Sequence, residues 1–340
     1  MKDRDNLPTI EQWAGLYESA ENIMKLAPWE FLWDTDLLTI MLPGRDEPVC
    51  CSVMGRVGKC YAIGVYPGFE SVVSFYRIAE ASEYSPQFIA GLEQNCMICN
   101  FGDREELSEE DREVIKSLGL RFRGKNRWIY FRSMEPGLYP WHLNAEQAGL
   151  LLQTLQNLEE IIKHLKREDV KVDFDGNETL MRYYSPEDGA WFNKVVEMPQ
   201  ILMLKRTLVV DDETLIAKLK KKKRSGACLE FDAVYLPTPV RDSKGERPYF
   251  PRFVLLADKK NELVLDQHMA EQDEGIEAVI LEMMTRYIMK YGRPASIYAR
   301  DDRFVSYIGD LCKKLSIKLI EGEGVPAVDR LLEDLLRTMI

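Results

Sequence analysis

The chain has 340 residues, enough for two domains, because a single hydrophobic core rarely grows beyond about 250 to 300 residues. Hydrophobic residues make up 46% and charged residues 30%, which is typical of a folded chain and excludes a disordered one. The 45 Lys and Arg against 56 Asp and Glu give a net charge of −11, so a polyanion would need a local basic patch. A charged N-terminus and the lack of a long apolar run predict a cytoplasmic protein without a membrane partner.

The cysteines predict reduced thiols. Their number is odd and they stand among apolar neighbours, which is unlike a disulfide framework. Cys96 and Cys99 have the spacing of a zinc-binding pair, but no second pair follows them, and both fall in a stretch typical of a strand interior. We therefore expect no zinc site here and no resident cofactor in the chain. The seven are Cys50, Cys51, Cys60, Cys96, Cys99, Cys228 and Cys312.

Residues 1–167 predict an α+β domain with a largely antiparallel sheet. Helical spacing over 10–26 is followed by three apolar runs, 37–42, 49–54 and 59–66, separated by turn residues, which is typical of a meander. Ser108 with Asp111 and Asn144 with Gln147 each have the spacing of a helix capping box. The other predicted elements are helices over 69–80, 108–119 and 144–165 and strands over 97–101 and 127–133.

Residues 168–210 read as a linker that contains a β-hairpin. Strands over 179–184 and 190–196 flank the turn residues 185–189, and the sequence leaves open which domain this hairpin joins. A helix over 211–223 then begins with acids and ends with a basic run. The helix dipole explains such a run at a C-terminus, while contact with phosphate is the alternative. The run consists of Lys220, Lys221, Lys222, Lys223 and Arg224.

Residues 211–340 predict an α/β domain with a mixed sheet. Strands over 228–236, 249–257 and 262–267 should pair in antiparallel fashion, and helix and strand then alternate to a last helix over 325–339. Strands that alternate with helices imply parallel pairing through right-handed crossovers. The resulting order, β-β-β-α-β-α-β-α, is that of a ribonuclease H-like core.

Three segments make this domain resemble the catalytic core of an integrase or transposase: 231–237 (FDAVYLP), 253–258 (FVLLAD) and 292–302 (GRPASIYARDD). The resemblance implies two metal ions held by acids from separate elements, because a bridging carboxylate must hold both cations. Asp232 and Asp301 take the first two positions as metal ligands, with Asp302 as the alternative to Asp301. The third acid has no clear motif and is sought in the last helix, at Asp329, Glu333 or Asp334.

The whole chain also resembles a family of uncharacterised bacterial proteins made of domains of unknown function. The matching stretches in the first half are 51–55, 66–68, 118–124 and 140–141, and those in the second half are 232–239 and 292–302. This resemblance implies a bacterial cytosolic origin. It gives no information about an activity, a cofactor or a partner.

A complete set of fold elements beside an incomplete set of acids favours a non-enzymatic protein whose degenerate ribonuclease H-like domain binds a partner, most simply another protein. The first alternative is a Mg²⁺- or Mn²⁺-dependent nuclease or nucleotidyl-transfer enzyme. It would use Asp232, Asp301 or Asp302, and Asp329 or Glu333, with the basic run on the nucleic-acid backbone. The second alternative is small-molecule binding at the domain interface.

Overall fold

The computed structural model describes residues 6–80, 91–198, 208–241, 243, 246–272, 274–300, 302–322 and 324–339, without the side chains of 79, 80, 302, 303 and 335–339. The chain divides into two compact units. The first comprises Met1–Glu80, Glu93–Pro136 and Pro140–Leu202, and the second comprises Ala81–Leu92, Gly137–Tyr139 and Met203–Ile340.

The first unit is a seven-stranded sheet with helices on both faces. Its strand order is β5-β4-β3-β2-β1-β6-β7, and every neighbouring pair is antiparallel except β1 with β6. The strands are β1 Leu38–Met41, β2 Val49–Met54, β3 Ala62–Pro67, β4 Cys96–Gly102, β5 Trp128–Met134, β6 Glu178–Ser185 and β7 Ala190–Glu197. The helices are α1 Ile10–Leu26, α2 Phe69–Glu80, α3 Glu109–Ser117 and α4 Ala145–Lys166.

Local sequence signals set the helix starts of this unit. The predicted capping boxes of Ser108 with Asp111 and of Asn144 with Gln147 both form, at the first turns of α3 and α4. The apolar faces of α1 and α4 join the main core on one face of the sheet. On the other face, Val72 of α2 packs in a smaller cluster with strand residues such as Cys50 and Cys96. The largely antiparallel α+β organisation is confirmed.

The hairpin β6–β7, which the sequence places in a linker, extends the first sheet beyond β1. The side chain of Thr179 donates a hydrogen bond to the carbonyl oxygen of Leu37 at 2.8 Å, and Leu180 is fully buried. These are contacts between residues about 140 positions apart, so nothing in the local pattern indicates them.

The second unit is a five-stranded mixed sheet with the order β10-β9-β8-β11-β12. Strands β10, β9 and β8 are antiparallel, and β8, β11 and β12 are parallel. The strands are β8 Cys228–Tyr235, β9 Arg252–Asp258, β10 Leu263–Ala270, β11 Ser296–Ala299 and β12 Lys318–Glu321. The helices are α5 Glu213–Lys220, α6 Ile276–Tyr291, α7 Asp302–Leu315 and α8 Pro326–Met339. The predicted ribonuclease H-like order is confirmed.

Helices cover both faces of this second sheet. Residues of α5, α6 and α7 form one core with Leu229 and Phe231 of β8. Residues of α8 form another core with Leu255 and Ala257 of β9 on the opposite face. Within the described residues, no helix has the length and apolar character that crossing a membrane requires.

Candidate functional site

Strand β8 carries two buried acids on one face. Side chains alternate along a strand, so Leu229, Phe231 and Ala233 enter the core shared with α6 and α7, while Glu230 and Asp232 point the other way, toward α8. Glu230 is fully buried and Asp232 is 4% exposed. A carboxylate this deeply buried needs a charged partner or hydrogen bonds, since an unpaired buried charge is costly.

Arg300 supplies that partner for Asp232. It directly follows β11, the neighbour of β8, and its Nε and Nη2 atoms donate to Oδ2 of Asp232 at 3.0 and 2.7 Å. The same Nη2 atom lies 2.5 Å from Oδ1 of Asp329, in the first turn of α8. The other oxygen of Asp232 accepts the backbone N–H of Ala233 at 2.9 Å. One guanidinium therefore joins the two carboxylates.

The electrostatic balance keeps Arg300 charged. Its side chain is only 18% exposed, and burial disfavours the cation, but the carboxylates of Asp232 and Asp329 outweigh burial and raise the pKa of Arg300 above its usual value. Hydrogen bonds between charged partners are roughly twice as strong as neutral ones, and the planar guanidinium holds its acceptors in fixed directions. The charge needed between these acids is thus provided by the chain itself.

Glu230 has a separate structural contact. Its Oε2 atom accepts the backbone N–H groups of Ala327 and Val328, at 2.7 and 3.3 Å, and so caps the N-terminus of α8. The ammonium nitrogen of Lys259 lies 3.4 Å from Oε1 and 3.8 Å from the ring centre of Tyr298. Both acids of β8 therefore attach α8 to the sheet.

The structure brings together two of the acids that the integrase resemblance suggested. Asp232 and Asp329 lie on the same arginine nitrogen, whereas Glu333 and Asp334 are exposed residues of α8. Asp302 opens α7, but its side chain is not described, and Asp301 lies outside the described residues. The pairing of Asp232 with Asp301 on a metal stays a prediction. In the part of the chain that the structure describes, no three His, Cys, Asp or Glu side chains are grouped to hold a metal ion.

The sequence reasoning missed Arg300 and Glu230 as members of this site. Arg300 stands in the stretch that carries the integrase resemblance, directly before the acids that drew attention. Glu230 lies two residues before Asp232 on β8, so the alternation of side chains along a strand puts both acids on one face. The signal that could have found them is a cation at the end of β11, since β11 is the expected neighbour of β8 and β8 carries two acids on one face.

The basic run lies at the opposite edge of the sheet. Arg224 precedes β8 and pairs with Arg293, which precedes β11, in an isolated parallel β-bridge of the backbone. Asp232 and Arg300 lie toward the other ends of these strands. The side chain of Lys222 donates to the carbonyl oxygen of Met289 at 2.8 Å, and that of Arg224 to Ser316 at 3.2 Å. These two cations therefore cap the C-termini of α6 and α7, which are not the helix that the basic run follows in sequence.

The zinc-like spacing of Cys96 and Cys99 has no matching geometry. Cys96 belongs to the cluster beneath α2, and Cys99 to the main core on the other face of the sheet. Burial raises the pKa of the Cys96 thiol to about 12 and holds that of Cys99 well above its usual value. Two thiols on opposite faces of a strand cannot share one ion.

Comparisons with known proteins bear on both units. A family model described as Domain of unknown function (DUF7309) matches residues 13–182, from α1 to within β6. The chain belongs to the DUF7309 family. A second model, Domain of unknown function (DUF6930), matches residues 215–336, from α5 to within α8. The predicted membership in families of unknown function is confirmed for this DUF7309 protein.

The chain is also similar to a solved structure, the catalytic core domain of BIV integrase. The similarity has 16% sequence identity and a TM-score of 0.23, and it covers 33% of this chain and 68% of that one. Values this low add nothing to the fold assignment, which rests on the strand order and directions. No curated protein matches the DUF7309 chain.

Proposed function

We propose that the second unit is a binding domain that uses the ribonuclease H-like fold without two-metal chemistry. The observation that supports this proposal is the guanidinium of Arg300 between Asp232 and Asp329. Two-metal catalysis needs carboxylate oxygens that are available to the cations. Here the oxygen of Asp232 that faces α8 already accepts two hydrogen bonds from the arginine.

A divalent cation would have to displace this arginine. Taking one partner away from a buried ion pair costs about 3 to 5 kcal/mol, because the remaining charge is left uncompensated. The acids also stabilise the position of α8. Glu230 accepts backbone N–H groups of its first turn, and Asp232 is linked to Asp329 of that turn through Arg300. A metal ion at this position would therefore compete with the packing of the last helix.

The cofactor and the cellular location are proposed from the sequence. We propose that the protein works without a resident cofactor and in the bacterial cytoplasm, where thiols stay reduced. The raised pKa values of the buried Cys50, Cys96 and Cys312, each about 12, support thiols that are unreactive toward oxidants and metals.

The test is a thermal melt of the full chain with and without Mn²⁺, on wild type and on Asp232→Asn. We expect Mn²⁺ to leave the melting temperature of both proteins unchanged, and we expect Asp232→Asn to melt earlier because Arg300 loses a charged partner. Asp266→Asn is the matched control, since Asp266 also pairs with an arginine on this unit, at 2.9 Å from Arg286, but at a more exposed position.

An opposite pattern would contradict the proposal. A ligand that binds only the folded state raises its stability. If Mn²⁺ raises the melting temperature of wild type and of Asp266→Asn but not that of Asp232→Asn, the acids form a metal site and the nuclease alternative takes its place.

A further inference from the structure

Three helices of the second unit end at the same edge of its sheet, the edge where β8, β11 and β12 begin. The C-terminus of α6 is joined there to Lys222, and that of α7 to Arg224. The guanidinium of Arg293 donates to the carbonyl oxygens of Lys222, after α5, and of Leu315, in α7, at 3.0 and 3.1 Å. Because basic residues favour the last turn of a helix, this topology gathers lysines at one edge.

Six exposed lysines lie along this edge, which we call the lysine edge. None of the six forms an ion pair with an acid among the described residues. Nearby acids are already engaged: Asp310 pairs with Lys314 at 2.7 Å, and the carboxylate of Asp258 accepts the backbone N–H groups of Lys260 and Asn261. The lysine edge consists of Lys220, Lys221, Lys223, Lys290, Lys313 and Lys318.

Hydrogen bonds fix the backbone at Lys223. The N–H of Arg293 donates to the carbonyl oxygen of Lys223, and the N–H of Ser225 donates to that of Arg293, both at 2.8 Å. Gly292 has a φ of +96°, and a Cβ atom there would lie 2.4 Å from the carbonyl oxygen of Lys223. The two backbone segments therefore approach more closely at Gly292 than a residue with a side chain would allow, and Lys223 is presented on a preorganised segment.

An exposed aromatic ring adjoins the edge. Tyr291, the last residue of α6, is 48% exposed and directly precedes Gly292. Its ring lies 5.2 Å from that of the buried Tyr287, and the ammonium nitrogen of Lys290 lies 4.8 Å from its centre. A ring supported in this way offers a flat surface that a base can stack on.

We propose that the lysine edge, with Tyr291, binds single-stranded nucleic acid through its phosphate backbone. This proposal rests on the binding role inferred above and names the class of ligand. Six exposed lysines without ion pairs among the described residues match a polyanion, and a basic surface beside an aromatic ring is the usual combination in proteins that bind single strands. An acidic protein would be attracted by the charges but would make no use of the ring.

The structure changes the earlier phosphate hypothesis in two ways. Lys222 and Arg224 cap helices, so of the five residues in the run only Lys220, Lys221 and Lys223 belong to the binding surface. The surface also lies at the opposite edge from Asp232 and Arg300. Binding there would not bring a phosphodiester to the acids, which is consistent with a domain that binds without cleaving.

The experiment is fluorescence anisotropy of a labelled oligothymidylate with the full chain over a range of salt concentrations. We expect wild type to bind at low salt, and the triple variant Lys220→Glu, Lys221→Glu, Lys223→Glu to lose at least tenfold in affinity. Three lost phosphate contacts should also reduce the slope of log affinity against log salt by about 2. The matched control reverses three exposed lysines of the first unit, with Lys59→Glu, Lys171→Glu and Lys194→Glu.

Tyr291→Ala tests the contribution of stacking. We expect it to weaken oligothymidylate binding roughly fivefold or more and to leave the salt slope unchanged. The proposal is overturned if wild type does not bind, if the two triple variants bind equally, or if Tyr291→Ala binds as wild type does. Displacement of the oligonucleotide by polyglutamate at equal charge concentration would indicate an acidic protein instead. These variants leave Asp232 and Arg300 unchanged. The proposal of nucleic-acid binding and the proposal of a domain without two-metal chemistry can therefore fail separately.

Discussion

The two edges of the second sheet collect charge by the same topology and differ in how that charge is balanced. At the edge where β8 and β11 end, two acids meet one arginine, and all three side chains are wholly or partly withdrawn from water. At the edge where these strands begin, the six lysines of the lysine edge are exposed. Charge at the first edge therefore holds the fold together, while charge at the second is available to a ligand.

The physical reason lies in solvation. A buried charge loses its hydration, so it persists only with a partner, and losing that partner is costly. An exposed lysine keeps its hydration, so its removal barely changes the free energy of unfolding. Substitutions at the first edge should therefore change stability, and those at the second should change binding.

The largest expected effect is that of Arg300→Ala. It leaves the buried carboxylate of Asp232 without its cation and should lower the free energy of unfolding by about 3 to 5 kcal/mol. Urea denaturation followed by circular dichroism measures this. The control is Arg286→Ala, which removes the more exposed ion pairs with Asp266 and Glu282 and should cost less than about 1 kcal/mol. Equal losses from the two substitutions would erase the distinction between the edges.

The next effect is that of Glu230→Gln. The amide oxygen can still accept N–H groups of α8, but the attraction to Lys259 is lost and the amide N–H₂ must be buried beside a cation. We expect a loss of about 1 to 3 kcal/mol in the same denaturation experiment. Glu262→Gln, whose carboxylate forms a more exposed pair with Arg330, serves as the control and should change stability by less than about 1 kcal/mol.

A buried pair in the first unit extends the comparison to pH. Asp111 accepts two hydrogen bonds from Arg132, at 2.9 and 2.6 Å. Burial alone would raise the pKa of Asp111, but the hydrogen bonds and charge of Arg132, together with the N–H and hydroxyl of Ser108, lower it below its usual value.

A lowered folded-state pKa means that this stabilisation is present above the pKa of the unfolded state, about 3.9, and is lost as the pH falls through the folded-state value. Wild type should lose stability in that acid range. Asp111→Asn should be less stable than wild type at neutral pH and should show a smaller decline on acidification. Denaturation midpoints measured across this pH range give the answer, and parallel curves for the two proteins would show that Asp111 contributes nothing.

The smallest expected effect belongs to the lysine edge. Lys220→Gln, Lys221→Gln and Lys223→Gln together should change the free energy of unfolding by no more than about 0.5 kcal/mol per site, because the side chains are exposed. A Lys222→Met variant is the contrast, since its ammonium caps the C-terminus of α6. If the triple variant is the less stable of the two, the exposed lysines have a structural role that the comparison denies.

Most of the fold was accessible from the sequence because its signals are local. Helical periodicity, capping boxes and apolar runs between turn residues predicted the element order. The partner of Asp232 has no local signal, because Arg300 is 68 residues away and reaches Asp232 only when β11 lies beside β8. The same limit applies to the hairpin β6–β7, whose parallel partner β1 is far away in sequence. An acid that resembles a metal ligand cannot be interpreted without knowing which cation lies next to it.

The most direct test of the account replaces the arginine and offers a metal ion. Arg300→Ala and the double variant Arg300→Ala with Asp232→Asn are melted beside wild type, with and without Mn²⁺. We expect Mn²⁺ to leave the melting temperature of wild type unchanged, to restore part of the lowered melting temperature of Arg300→Ala, and to restore nothing in the double variant. Stabilisation of wild type by Mn²⁺, together with an Arg300→Ala protein that melts as wild type does, would contradict this expectation.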